Sequence, residues 1–209
     1  MNNYVYIKAG LPDFTPDWRK GKELLDNYLE EVKSLCSEKD NEVIAFIEKG
    51  FDKEQIGLEF YQEAEKHKIR FIRNFFLFDF DVRNAKVKYL NKALGRDPLK
   101  DVLSLVDPAD DELATAEERE FKEAGRLQTI LEGKDILARE RAIDDLYWEK
   151  IDELTLFNYL DFEAILGVVV KMMIIQRWLK LDEQTGREMF RRLVDEVRGT
   201  FKGVEYNDK

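Results

Sequence analysis

The sequence has very little histidine and cysteine, two side chains that often carry out catalysis or hold a metal ion. It contains one histidine, His67, and one cysteine, Cys36, so no disulfide can form within the chain. A Ser-His-Asp or Cys-His set would have to use His67 as its base, and a helical dimetal site needs a second histidine. The phosphate-binding patterns GxxxxGK[ST] and GxGxxG are also absent. The sequence therefore predicts a protein that is not an enzyme and takes no cofactor or metal.

The remaining chemical groups each have a simpler structural interpretation. His67 lies in the charged run EAEKHKIR, which predicts a solvated surface position rather than half of a metal site with Glu63, one helical turn earlier. Cys36 falls on the apolar side of a helix and is expected to be a buried small hydrophobe rather than a reactive thiol. Asp79 has Arg83 four residues later, so an intrahelical ion pair is favoured over general acid-base catalysis.

Proline and glycine are scarce as well, and the chain carries no excess of positive charge. The chain has 4 prolines and 11 glycines in 209 residues, yet 44% of its residues are hydrophobic and 37% are charged, against about 25% charged in a typical protein. Many apolar and many charged residues with few breakers are typical of amphipathic helices. A net charge of −10 argues against nucleic-acid binding, because binding would release no counterions from a phosphate backbone.

We also expect neither a membrane-spanning segment nor a signal peptide. The most apolar stretch, residues 164–175, is interrupted by Lys171 and followed by Gln176 and Arg177, which makes it too short and too charged to span a bilayer. The start, MNNYVYIKAG, has no basic region followed by an apolar one, as a signal peptide would. We therefore expect a cytoplasmic protein without direct membrane insertion.

The spacing of apolar residues predicts an all-α fold, a bundle of seven to eight helices with at least about half of all residues helical. Residues 4–8 are expected to form a short extended N-terminal arm. The Phe-rich stretch 67–94 is apolar almost all the way round, which indicates burial on several sides. Segment 96–111, with two prolines, predicts a hinge between an N-terminal half, 1–95, and a C-terminal half, 112–209; the alternative is one compact domain. The expected helices cover about 17–36, 40–49, 52–66, 67–94, 112–131, 135–153, 160–180 and 182–200.

Two segments resemble a known family. The run DVRNAKVKYLNKALG resembles the DxxNxKxxxRxKxxG-like helix of V-type ATPase C subunits, called d in eukaryotes, with Leu90 where an arginine is usual. Residues 162–181 resemble a late helix of the same family. The whole chain, with its opening YVYIKAGLPDF, is similar to a bacterial family of unknown function whose members tend to accompany V-type ATPase components. The positions that match the C-subunit motifs are Asp81, Asn84, Lys86, Lys92, Gly95 and Arg177.

The resemblance implies a non-catalytic helical subunit or accessory protein of a V-type ATPase, which couples the central stalk to the membrane ring and so serves ion or proton transport. The expected partners are stalk or membrane-ring subunits, and the protein would then lie peripheral to the inner membrane. C subunits have three similar helical modules, and this chain is long enough for about two. Arg187 and Arg191 are expected to contact an acidic partner.

Two other functions fit the same residues. The first is a protein–protein interaction module unrelated to the ATPase, such as a homodimer that buries the Phe-rich helix, because a helix so apolar does not suit a lone surface. The second is a helical enzyme of an unrecognised type, with a catalytic set that no familiar pattern reveals. The sequence alone leaves all three functions open.

Overall fold

The computed structural model describes residues 4–18, 21–105 and 121–180. Within these ranges 71% of the residues are helical and none is in a strand, which confirms the predicted all-α fold. No helix in the same ranges is both long enough and apolar enough to cross a membrane. The helices are α1 (Tyr4–Gly10), α2 (Lys22–Leu35), α3 (Glu38–Phe51), α4 (Leu58–Glu65), α5 (Arg70–Ala93), α6 (Ala124–Leu131), α7 (Ile136–Thr155) and α8 (Phe162–Lys180).

The N-terminal segment differs from the expectation. Residues 4–8 were expected to be extended, and this is wrong, because they form the first turns of α1. A helix places Tyr4 and Ile7 on one face, whereas a strand would point them in opposite directions. The Tyr4 hydroxyl lies 3.1 Å from both carboxylate oxygens of Asp40 on α3, and the Tyr4 ring lies 5.5 Å from that of Phe162. These contacts with α3 and α8 favour the helix.

The other helices follow the predicted pattern with shifted ends. The stretch expected at 67–94 is α5, a single helix of 24 residues. The first long helix begins at Lys22 rather than near 17, because residues 15–18 form a turn in which the Trp18 amide donates to the Thr15 carbonyl (3.1 Å). Of the helix expected at 112–131, only its end, α6, falls within the described residues. The helix expected at 182–200 lies outside them.

Most buried side chains surround α5 and α8. Helix α5 contacts α4, α6, α7 and α8, which confirms the expected burial on several sides. Its Phe71, Phe75 and Phe76 are almost completely buried within the chain. A smaller cluster joins α5, α6 and α7 around Phe78 and Leu127. Helices from both sides of segment 96–111 contribute side chains to the larger core. This shared core does not test the hinge expected at that segment, which stays a prediction.

One close approach depends on a glycine. A Cβ atom on Gly50 of α3 would lie 2.3 Å from a ring carbon of Phe76 and 2.8 Å from one of Phe60. The Phe76 and Phe60 rings meet edge to face, with centroids 4.8 Å apart, an arrangement that aromatic pairs prefer. The absent side chain at Gly50 therefore lets α3, α4 and α5 pack around this aromatic pair.

Candidate interaction surface

The C-terminal half of α5 carries most of the family-motif positions. The Asn84 side chain exchanges two hydrogen bonds with the backbone of Leu103, donating to its carbonyl (2.9 Å) and accepting from its amide (3.0 Å). The buried Asn91 side chain donates to the Lys100 carbonyl (2.6 Å). Gly95 ends the helix with φ near +65°, a left-handed conformation that favours glycine. These contacts fold segment 96–105 back along α5.

The other motif residues on α5 point to different neighbours. Lys86 forms an ion pair with Glu140 of α7 (3.3 Å). Asp81 is partly buried and lines a shallow groove that also includes Phe121 and Lys150. Lys92 is exposed. The structure therefore does not gather the motif residues at one point; several of them connect α5 to its surroundings.

Arg177 also makes an internal contact. Its guanidinium is hydrogen-bonded to one carboxylate oxygen of Asp144 on α7, and the indole of Trp178 donates to the other oxygen. Asp144 is 3% exposed; burial raises the pKa of this carboxyl, and Arg177 and Trp178 limit the rise. The guanidinium of Arg141 stacks on Trp178, 3.8 Å from the ring centre. Arg177 therefore fixes the end of α8 to α7.

The predicted contact residues Arg187 and Arg191 lie outside the described residues.

A buried polar cluster centres on Asp79, which is 5% exposed. One carboxylate oxygen accepts from the Tyr61 hydroxyl (2.6 Å) and Arg83 Nε (2.8 Å), and the other accepts from the Tyr147 hydroxyl (2.6 Å). The predicted Asp79–Arg83 ion pair is thus confirmed. Burial and the Asp79 charge raise the pKa of both tyrosines above its usual range. With its donors in place, the carboxylate serves to join α4, α5 and α7.

The lone histidine and cysteine are built into the fold. His67 was expected to be solvated, and this is wrong, because its ring is partly buried and stacks on Phe46 with centroids 5.3 Å apart. Its Nδ1 accepts from the Ile69 amide (3.2 Å), and burial lowers its pKa. Cys36 was expected to be buried and is partly buried against the larger core, and burial raises the pKa of its thiol to about 11. Among the described residues, no three His, Cys, Asp or Glu side chains are grouped as a metal site would require.

The surface beside the motif helix contains a groove of about 570 Å³ between α5 and α6. One side carries Lys88 and Lys92, the opposite side carries Gln128 and Glu132, and apolar side chains lie between them. The sequence pattern did not indicate Lys88, because the groove that Lys88 lines forms only where α6 packs beside α5. Helix α6 begins more than 30 residues after Lys88. Around the same end of α5, several large apolar side chains are more than half exposed, namely Leu90, Leu94, Leu99, Ile136 and Leu137. Such an arrangement can bind an amphipathic helix of another protein.

The Phe-rich face of α5, in contrast, is not a free surface. Phe71, Phe75, Phe76, Phe78 and Phe80 are all buried by helices of the same chain. The idea that this helix is too apolar for a single chain, and is buried by a second copy, is therefore wrong. The physical reason is that α4, α6, α7 and α8 of the same chain all pack against α5 and bury these phenylalanines.

Comparison with known proteins identifies a family for most of the chain. The model of a family described as "Protein of unknown function (DUF2764)" matches residues 54–200. The matched range includes the motif positions on α5 and Arg177 on α8. No curated protein and no solved structure matches the chain significantly.

Proposed function

We propose that this chain, which belongs to the family described as "Protein of unknown function (DUF2764)", is a non-catalytic helical subunit or accessory protein of a V-type ATPase. In this role it couples the central stalk to the membrane ring. The observation that carries the proposal is the resemblance of α5 and α8 to the V-type ATPase C subunit at Asp81, Asn84, Lys86, Lys92, Gly95 and Arg177.

A coupling protein must transmit force between its partners, which requires stiff elements with fixed relative positions. Helix α5 has 24 residues and is therefore about 36 Å long. It is held along its length by the Asp79 cluster, by the Lys86–Glu140 ion pair and by the hydrogen bonds of Asn84. These connections support a rigid body that works by contact rather than by chemistry.

The groove between α5 and α6 supplies a place for such contact. Its apolar floor and its lysines suit a helix that carries apolar side chains on one face and acidic side chains beside them. The chain as a whole has a net charge of −10. Lys88 and Lys92 form a local basic site on this acidic chain, and we expect an acidic partner to bind there. We expect a stalk or ring subunit to bind here.

Affinity purification of the tagged protein from its native host tests the proposal. We expect stalk or ring subunits to be recovered, and fewer of them with a Lys88→Glu/Lys92→Glu variant. The matched control is Lys53→Glu/Lys66→Glu, which changes the net charge equally at two exposed positions away from the groove. Repeated absence of ATPase subunits, under conditions that keep the ATPase assembled, would contradict the proposal.

A second outcome of the same experiment favours the interaction module unrelated to the ATPase. If untagged copies of the chain are recovered and ATPase subunits are not, the protein is a homodimer. Such a dimer would have to use exposed side chains such as Ile136 and Leu137, since the phenylalanines of α5 are buried within the chain.

A further inference from the structure

The connection between α4 and α5 places the His67 ring against a group of stacked aromatic side chains. The ring of Phe46 on α3 stacks on Phe60 of α4, with centroids 4.9 Å apart, and on His67, with centroids 5.3 Å apart. Phe76 of α5 meets Phe46 and Phe60 edge to face. Of these four rings only that of His67 is less than fully buried. His67 therefore lies at the solvent side of the junction between α3, α4 and α5.

Polar contacts of the same connection hold the start of α5. The Nδ1 atom of His67 accepts from the amide of Ile69 (3.2 Å), which is the N-cap residue of the helix. Arg73, one turn into α5, donates to the carbonyls of His67 (2.5 Å) and Lys68 (2.9 Å). Ile69 has no side-chain oxygen with which to cap the helix. The His67 ring thus supplies the side-chain acceptor at this end of α5.

The hydrogen bond from the Ile69 amide requires a neutral imidazole. Nδ1 can accept only while it carries a lone pair, which places the proton of the neutral ring on Nε2. Protonation adds a hydrogen to Nδ1, so that two N–H groups would face each other and the Ile69 amide would lose its acceptor. The ring therefore cannot both take up a proton and keep this hydrogen bond.

The charges on α5 also disfavour a protonated ring. The first turn of the helix contains Arg70 and Arg73 and no acidic residue, and the N-terminus of a helix carries a partial positive charge of its own. Glu163 of α8 lies 3.8 Å from Arg70 Nε and balances part of the Arg70 charge. The Arg73 guanidinium, in contrast, is bonded directly to the backbone of His67.

The other elements near the ring bring charges of both signs. These residues are all exposed: Glu42 and Lys49 of α3, Glu63 and Glu65 of α4, and Lys66 and Lys68 of the connection. Burial lowers the pKa of His67 below its ordinary value of 6.5; the Arg73 charge acts in the same direction, and the Glu63 charge in the opposite one. The face of Phe46 also attracts a protonated ring. Burial outweighs these attractions, and the neutral ring is the stable form at neutral pH.

We propose that His67 is a pH-sensitive latch for the start of α5: the neutral ring holds the Ile69 amide, and protonation releases the connection formed by residues 66–69. Opening of the connection returns the ring to water, where its pKa is ordinary, so the open state binds the proton more tightly than the closed one. The closed state is therefore fully stable above pH 6.5 and loses stability as the pH falls from there through its own, lower pKa. This inference does not depend on the V-type ATPase.

Nuclear magnetic resonance of the full chain tests the proposal, because the only histidine gives a single set of imidazole signals. We expect the neutral ring to carry its proton on Nε2 and to titrate with a midpoint below 6.5. The protection of the Ile69 amide against hydrogen exchange, corrected for the intrinsic rate, should fall at least about threefold between about pH 7.5 and about pH 5.5. Amides in the middle of α5, such as that of Phe80, should keep their protection.

Two variants separate the hydrogen bond from the titration. His67→Asn keeps an acceptor for the amide two residues later, as asparagine does in turns, but does not titrate. Its Ile69 protection should therefore be the same at both pH values. His67→Phe keeps a ring that can stack on Phe46 but has no acceptor, so its Ile69 amide should exchange faster at both pH values.

Three results would overturn the proposal. The first is a His67 titration midpoint at or above 6.5, which would mean that the closed state does not resist protonation. The second is a loss of Ile69 protection in acid that is as large in His67→Asn as in the unaltered chain, which would assign the pH dependence to other groups. The third is full Ile69 protection in His67→Phe, which would show that the ring nitrogen does not hold the amide.

Discussion

At the scale of single residues, Asp79 illustrates how a carboxylate becomes part of a helical core. Its oxygens accept from two tyrosine hydroxyls and a guanidinium on three different helices. A buried polar group is tolerated only when its hydrogen bonds are made. The free-energy cost of removing the Asp79 carboxylate therefore depends on the hydrogen-bond donors that lose their acceptor.

We predict that Asp79→Ala lowers the free energy of unfolding by roughly 3 kcal/mol or more, because it leaves the hydroxyls of Tyr61 and Tyr147 buried without their acceptor. Arg83 contributes less, since its side chain is half exposed and screened by water. The control, Tyr61→Phe, removes a single hydrogen bond and should cost about 1.5 kcal/mol. Urea unfolding measures both, and equal losses would contradict the cluster's role.

Cys36 gives a prediction that depends on pKa. Burial, with a contribution from Asp40, raises the pKa of its thiol from 9.0 to about 11. The fraction of thiolate at pH 8 should therefore fall about 100-fold relative to the unfolded chain, and the greater nucleophilicity of the more basic thiolate offsets about tenfold of this. We expect alkylation by iodoacetamide to be at least about tenfold slower in the folded protein. Equal rates with and without urea would show that the thiol is not buried.

At the scale of helices, the close packing of α3 on the aromatic rings can be tested with a pair of glycines. Gly50→Ala should cost at least about 2 kcal/mol, because its Cβ would overlap the buried Phe76 ring. Gly125→Ala on α6 meets no atom within 4 Å and should instead stabilise by about 0.5 kcal/mol through its higher helix propensity. Thermal unfolding distinguishes the two; a neutral Gly50→Ala would contradict the packing.

The attachment of segment 96–105 to α5 also belongs to this scale. We predict that Asn84→Ala speeds hydrogen exchange at the Leu103 amide, which loses its acceptor in the Asn84 side chain. Amides in the middle of α5, such as that of Phe75, should exchange as before and serve as the internal control. Unchanged exchange at Leu103 would mean that the segment is held by other contacts.

The sequence predicts the helices well because the period of their apolar residues is local, as in α5 and α8. It fails for α1, where the helix depends on Asp40 and Phe162, distant in sequence. It singles out Asn84 and Gly95 but misses Asn91, whose acceptor lies in the segment that follows. It also gives no sign that Phe157, between α7 and α8, is 85% exposed, because an apolar residue ordinarily predicts burial and no local signal marks the exceptions.

At the scale of the whole molecule, internal connections and exposed surfaces occupy different places. The Asp79 and Asp144 clusters lie inside and join helices. The groove between α5 and α6 lies outside and presents apolar side chains next to Lys88 and Lys92. A helical body with such a surface suits a protein that works by binding a partner, as the proposed coupling of a stalk to a membrane ring requires.

Co-sedimentation with the purified, assembled V-type ATPase of the same host tests this role most directly. The tag-free protein and the Lys88→Glu/Lys92→Glu variant are each mixed with the complex and separated on a density gradient. We expect the unaltered chain to migrate with the ATPase and the variant to stay largely in the low-mass fractions. If the unaltered chain also stays in the low-mass fractions while the ATPase remains intact, the proposed coupling role is wrong.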